Sequence, residues 1–328
     1  MKKILYTGIA VLLLAACSKK GDDDNAGKEQ EFTNRLTFII DDNKFNFSFF
    51  NTALRRTEYR NLLAGDGPYT VLVPDNSAFN KAGYGREDAV LTENLTVLNN
   101  LVSYHILNGN WDFNKLPFTF NQQISSITGA SMFVTRWVKN GDTVLTINGT
   151  RILSRNLKAS NGSIQVMDQL LQPMLHQKVS SLIASDTTLS FFNVALQRAD
   201  MKKLLEGEEN YTVFAPANNA FRAAGYPSAE SVLNADPIVL KNMLQYQLFR
   251  GRRFIYDYIL TTGSSDLSEQ AMLNGNNIQV ALQKQGVNYT GIRIKGVSNA
   301  TYSNIVKGNL LAGNGVVHIT DQLLKENQ

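Results

Sequence analysis

The chain repeats itself, and the length of the repeat limits what it can fold into. Tyr69-Thr70-Val71-Leu72-Val73-Pro74-Asp75-Asn76-Ser77-Ala78-Phe79 returns as Tyr211-Thr212-Val213-Phe214-Ala215-Pro216-Ala217-Asn218-Asn219-Ala220-Phe221; continued to Tyr84 and Tyr226, ten of sixteen positions are identical at an offset of 142. The same offset aligns Ser48-Phe49-Phe50-Asn51-Thr52-Ala53-Leu54 with Ser190-Phe191-Phe192-Asn193-Val194-Ala195-Leu196. Near the end of each copy, Asn161-Gly162-Ser163-Ile164-Gln165-Val166-Met167-Asp168 matches Asn314-Gly315-Val316-Val317-His318-Ile319-Thr320-Asp321 at an offset of 153, so the second copy gains eleven residues somewhere after Tyr246. Solenoid units run about 20 to 50 residues, so this period means two tandem domains. The boundary falls near Pro173 to Lys178 and leaves almost no linker.

Within each copy the periodicity changes along the chain. Phe49, Phe50, Ala53 and Leu54 are spaced for one helical face, as are Phe191, Phe192, Ala195 and Leu196. Tyr69 to Val73 and Tyr211 to Ala215 read as short strands stopped by proline, after which Asp75 and Asn76, or Asn218 and Asn219, are placed to cap a short helix. Leu95, Leu98, Leu101, Val102 and Leu107 predict a second apolar helical stripe, mirrored by Ile238, Leu240, Met243, Leu244 and Leu248. Strands follow: Met132 to Val138, Thr143 to Ile147 and Thr150 to Leu153 are separated by Asn140-Gly141 and Asn148-Gly149, the dipeptide best suited to a tight hairpin. Helices in the first half, one early strand and an antiparallel meander in the second make an α+β domain.

These blocks resemble the fasciclin (FAS1) domain family. The Tyr-Thr-Val-Phe-Ala-Pro-x-Asn-x-Ala-Phe stretch at Tyr211 is similar to the family's first signature, with a milder match at Tyr69, and Asn-Gly-Val-Val-His-Ile-x-Asp at Asn314 is similar to its second, where the Asn161 copy carries Gln165 in place of histidine. Tyr104-His105 matches a Tyr-His pair the family carries on a helix; Tyr246-Gln247 departs from it. The resemblance covers about Asn34 to Glu326. It implies two domains, 35–173 and 177–326, each an antiparallel β-sandwich decorated with helices from its first half, and a role in adhesion or extracellular recognition.

The amino terminus reads as an export signal. Lys2 and Lys3 precede an apolar run from Ile4 to Leu14, too short to span a bilayer comfortably, and Leu14-Ala15-Ala16-Cys17 resembles the lipobox of bacterial lipoproteins. Residues 1–16 are thus expected to be removed and Cys17, the single cysteine, to be lipidated; no internal disulfide is possible. Residues 17–34 are polar, Gly-containing and almost free of apolar side chains, and read as a flexible tether. The run Asp22-Asp23-Asp24 shortly after the cysteine resembles the surface-export signal of Bacteroidetes lipoproteins, which implies a lipid-anchored, surface-exposed body on the outer membrane.

The net charge of +4 falls to +2 once Lys2 and Lys3 are removed, and no Lys/Arg cluster interleaved with aromatics points to nucleic acid. His105, His176 and His318 are far apart and lack zinc-helix spacing, no Gly-x-Ser-x-Gly elbow occurs, and the glycines from Gly308 to Gly315 lack the order of a phosphate loop. No catalytic residue, metal or cofactor is expected, although acids distant in the chain that meet in space remain open. A non-catalytic adhesion or binding module is the first expectation. An accessory glycan- or nutrient-binding lipoprotein of an outer-membrane uptake system comes second, and a glycan-processing enzyme third.

Candidate partner-binding residues are Tyr104, His105, Trp111, Phe113 and Tyr246, facing an extracellular protein or glycan. Against that role, a tyrosine and histidine in an apolar helix are more often core residues satisfied by backbone, and Trp111 and Phe113 are as able to close the core as to stack on sugar. Arg250-Gly251-Arg252-Arg253 forms a small basic patch able to meet an acidic glycan, with a solvated loop as the plainer reading. Asp168 and Asp321 are expected to serve local backbone hydrogen bonds and helix capping. Asp142-Thr143-Val144 and Asp186-Thr187-Thr188 resemble the short O-glycosylation sequon of Bacteroidetes exported proteins.

Overall fold

The computed structural model describes residues 34–326; the signal segment, Cys17 and the acidic run lie outside the described residues. The first domain opens with helices α1 (Leu36–Asp42), α2 (Lys44–Arg55) and α3 (Tyr59–Ala64), enters β1 (Tyr69–Pro74), and returns to α4 (Asn76–Lys81), α5 (Glu87–Thr92) and α6 (Leu95–Tyr104). It ends in strands β2 (Ile106–Asn108), β3 (Thr119–Ser125), β4 (Ser131–Lys139), β5 (Asp142–Ile147), β6 (Thr150–Ala159) and β7 (Gly162–Met167). The second domain repeats the order with α7 (Val179–Ser185), α8 (Ser190–Arg198), β8 (Tyr211–Pro216), α9 (Asn218–Ala223), α10 (Ala229–Leu233), α11 (Pro237–Gln245) and β9 (Leu248–Arg250). After these come α12 (Ile255–Thr261), β10 (Leu267–Ala271), β11 (Asn277–Gln285), β12 (Asn288–Lys295), β13 (Ser303–Ala312) and β14 (Gly315–Thr320).

Each domain holds one seven-stranded sheet, ordered β2-β1-β7-β6-β5-β4-β3 and β10-β11-β12-β13-β14-β8-β9. The sheets are antiparallel except at one place: the early strand pairs parallel with the last, Tyr69 opposite Gly162 and Tyr211 opposite Gly315. The long strands β6 and β13 slip register twice against their neighbours. Such bulges bend a strand and increase its local twist.

Strand alternation then supplies two cores per domain. Val71 and Val73 pack under the helices with Leu36, Phe50, Phe79 and Leu98, whereas Leu72 faces the other way, into a cluster with Tyr104, Phe113, Met132 and Leu145. Val213 and Ala215 against Phe214 repeat the division. Full burial of a side chain such as Phe50 contributes about 1.5–3 kcal/mol, so these two cores dominate the stability.

The repeated signature residues have visible work. Asn161 accepts from Leu36 N (2.9 Å) and donates to Leu63 O (2.8 Å) and Gly65 O (2.6 Å); Asn314 does the same with Val179 N, Leu205 O and Gly207 O. One amide therefore ties the first helix and the turn before β1 or β8 to the final strand. The glycine that follows is forced by close approach, since a Cβ at Gly162 or Gly315 would sit about 2 Å from the carbonyl oxygen of Tyr69 or Tyr211. Both Asn-Gly hairpins form as expected: Asn140, Gly141, Asn148 and Gly149 all have positive φ, the geometry of a type I′ turn.

Several local expectations need correction. Leu95 (49 % exposed) is the first residue of α6 and overhangs the core, while Ile238 (69 % exposed) lies roughly 200° around α11 from buried Leu240. Leu107 and Leu248 leave the helix and sit in β2 and β9. Asp75 caps α4 through Ala78 N, but α9 has Ala217 at its N-cap and so no side-chain cap; Asn76 and Asn218 instead accept from Phe49 N and Phe191 N and pin the preceding helix. Asp168 and Asp321 make the expected backbone hydrogen bonds, to Arg151 N and Asn304 N, yet cap no helix: they fasten the last strand to its neighbour.

Candidate functional site

Helix α6 ends at the Tyr-His pair, and both side chains turn inward. Tyr104 is 1 % exposed; its hydroxyl donates to Ser131 O (2.8 Å) and accepts from Asn148 Nδ2 (2.9 Å), and burial pushes its pKa up to about 12. His105 is fully buried, with Nδ1 2.7 Å from Leu101 O and Nε2 accepting from Leu171 N (3.1 Å). Those partners assign the proton to Nδ1. In the second domain Tyr246 is equally buried and donates to Asn277 O (2.6 Å), while Gln247 donates to Met243 O and Leu324 O and accepts from Leu324 N. Histidine and glutamine thus perform one task, holding the segment after the last strand against the helix one turn back.

The exchange runs the other way at the second signature. Gln165 accepts from Asn156 N (3.0 Å), and His318, in the equivalent place, accepts from Asn309 N through Nδ1 (3.1 Å) and reaches Arg253 O with Nε2. Phe113 is fully buried, and Trp111, half-buried, stacks on it while its Nε1 donates to Asn108 O. Of the five candidate residues, only Trp111 presents surface to a partner in this conformation. Of the two sequons, Thr187 is exposed on a short turn and Thr143 is half-buried in β5.

Burial depresses the pKa of both His105 and His318 to about 4, from an ordinary value of 6.5. Between those values the unfolded chain takes up protons that the folded chain refuses. Stability therefore falls as pH drops from about 6.5 towards 4, by about 1.4 kcal/mol per pH unit for each ring. Urea midpoints measured across that range should slope steeply for the native protein and flatten when His105→Gln and His318→Gln are combined. An unchanged slope would show that the rings carry none of it.

The largest feature that the repeat did not announce is the junction between the domains, built on α12. That helix stands where the first domain has only a short turn at Phe113–Lys115, and with the loop 296–302 it absorbs the inserted residues. Asp257, 1 % exposed, accepts from Phe254 N (2.8 Å) in its own helix and, across the junction, from Asn121 Nδ2 (3.1 Å) and Thr135 Oγ1 (3.1 Å). Asn121 Nδ2 also donates to Arg252 O, and Lys139 Nζ to Thr262 O. Beside them Phe133 of β4 packs on Phe254, Leu311 and Val316. The Asn148-Gly149 turn leaves room for this: a Cβ on Gly149 would lie 2.6 Å from the Phe254 Cβ. The change of offset after Tyr246, together with Phe254-x-x-Asp257 at a helix start, was the available signal for this helix; nothing in it pointed to β4.

The basic patch also departs from a simple solvated loop. Arg252 lies 3.6 Å over the Phe133 ring and donates to Ala312 O and Gly313 O; burial without a carboxylate partner lowers its pKa to about 10. Arg253 lies over Tyr258 and is held by Gln270 and Thr261. Arg250 alone meets an acid, the exposed Glu209, at 3.3 Å. Among the described residues no three His, Cys, Asp or Glu side chains converge on a metal position, and no single helix is long and apolar enough to cross a membrane.

The family model for the fasciclin domain matches residues 45–173 and 187–326. Periostin of Homo sapiens is 26 % identical over 281 residues, covering 82 % of this chain and 29 % of periostin. Transforming growth factor-beta-induced protein ig-h3 of Sus scrofa is 23 % identical over 270 residues, covering 82 % of this chain and 36 % of its own. The chain therefore spans about a third of the length of these curated relatives. Among solved structures, the domain pair from the insect cell adhesion molecule fasciclin I is similar with a TM-score of 0.42 at 17 % identity, covering 85 % of this chain and 96 % of that one.

Proposed function

This chain belongs to the fasciclin family, with two fasciclin domains in tandem, and on that footing we propose that it is a non-catalytic adhesion module held on the outside of the cell by lipid at Cys17. The carrying observation is the junction. Two fasciclin domains are joined by a buried carboxylate and an aromatic contact, so the pair meets a partner as one body. A binding protein gains from that rigidity, because no orientation has to be frozen when it docks. The lipobox spacing at Cys17 supports the anchor, and the acidic run Asp22-Asp23-Asp24 supports transfer to the outer surface.

The experiment is fractionation combined with attachment. Cys17→Ala should move the protein from the membrane pellet to the soluble fraction and abolish attachment of expressing cells to the surface they normally bind. Alanines at Asp22, Asp23 and Asp24 should lower protease accessibility on intact cells while total lipoprotein stays level. A Cys17→Ala protein that still pellets with membranes ends the anchor, and attachment unaffected by deleting the whole protein ends the adhesion reading.

A further inference from the structure

Three arginines in four residues end β9 and continue past it, where the first domain carries Asn108-Gly109-Asn110-Trp111. They line a cleft of about 350 Å³ at the domain junction, together with Phe120 and Asn121 from the first domain and Phe249, Asp257, Thr261 and Gln270 from the second. Its charge is unbalanced. Among the described residues neither Arg252 nor Arg253 has a carboxylate within ion-pair distance, and the Arg250–Glu209 pair is exposed on both sides and contributes little. Asp257, the acid that lines the cleft, already receives hydrogen bonds from Phe254 N, Asn121 and Thr135, and burial raises its pKa, disfavouring its charge.

A guanidinium taken out of water without an anion keeps an unmet electrostatic demand. The forked donors of arginine match carboxylate and sulfate oxygens, Gln270 and Thr261 hold the Arg253 guanidinium in place at the cleft, and Phe120, packed on Trp137, offers a ring against which the apolar face of a pyranose can lie. The geometry points to this cleft as a binding site for an acidic oligosaccharide, one bearing uronate carboxylates or sulfates. The assignment rests on the reading of the protein as an extracellular binding module and names its ligand class.

The test is titration calorimetry of the full-length protein with three probes: oligogalacturonate, its neutral methyl ester, and poly-glutamate. Oligogalacturonate should bind, with affinity falling roughly tenfold between about 0.05 M and 0.5 M salt as the charges are screened. The ester and the peptide should bind at least about tenfold more weakly. Arg250→Gln, at an exposed position that leaves the junction intact, should weaken binding several-fold without moving the melting temperature, and Arg250→Gln with Arg253→Gln should abolish it. Absence of binding, an ester or poly-glutamate that binds as tightly as the acid, or an Arg250→Gln protein with unchanged affinity would each overturn the assignment. Cell attachment surviving such a result would leave the adhesion reading standing, so the two failures are separable.

Discussion

Replacing Asp257 with alanine is expected to uncouple the two domains. The native protein should melt in one cooperative transition, because Asn121 and Thr135 of the first domain reach the buried Asp257 of the second only when the domains are together. In Asp257→Ala the Asn121 amide, the Thr135 hydroxyl and the Phe254 N–H lose their acceptor, each at about 1–3 kcal/mol if left unpaired, so the junction should lose on the order of 3–5 kcal/mol. Calorimetry should then show two transitions. Asp257→Asn should be mild, since its amide oxygen can serve Asn121 and Phe254 while its NH2 turns to the Thr135 hydroxyl. It should also remove a pH effect: burial raises the Asp257 pKa above its unfolded value of 3.8, so its contribution to stability is greatest below that value and declines as pH rises through the folded one. An alanine variant that melts in a single transition at the native temperature would mean that Phe133, Phe254 and Arg252 hold the junction unaided.

Tyr104→Ala is expected to unfold the first domain early. It removes a fully enclosed ring from the second core and strands the Asn148 amide, for a loss of about 3–5 kcal/mol and a melting temperature lower by on the order of 10 °C. His105→Gln should cost less than about 1.5 kcal/mol, because Gln247 already makes the equivalent bonds to Met243 O and to both backbone groups of Leu324. Thermal melting and partner binding measured on the same two proteins separate structure from recognition. A Tyr104→Ala protein that melts normally but no longer binds would assign the pair to a partner rather than to the core.

What the sequence displayed was whatever depends on neighbours in the chain. The 3.6-residue spacing of Phe50 and Leu54, the proline that stops β1 at Pro74, and the Asn-Gly turns at 140 and 148 are local statements, and the folded chain obeys them. Leu95 and Ile238 misled because an apolar residue at the end of a helix satisfies the pattern without having anything to pack on. The parallel pairing of β1 with β7 leaves no mark in either strand, since both read only as short apolar runs. The junction was least legible. Its contacts join Asn121 and Thr135 to Asp257 across more than a hundred residues, between polar side chains that look like surface until the domains meet. The histidine–glutamine exchanges were visible as substitutions, but their equivalence needed the positions of Leu171, Leu324, Asn156 and Asn309.

The parallel pairing has a kinetic consequence. Tyr69 waits for Gly162, roughly ninety residues downstream, and until that partner arrives the centre of the sheet is an open edge with Asn161 unavailable to the first helix. Neither domain can close while it is being synthesised, and the first gains its final strand only when nearly half the chain has emerged. The first domain therefore stays open until about half the chain has been made, and the second until β14 is complete. Edge strands left open for that long are exposed to pairing with other chains. Slow refolding in dilute solution and aggregation at high concentration are then two outcomes of one strand order.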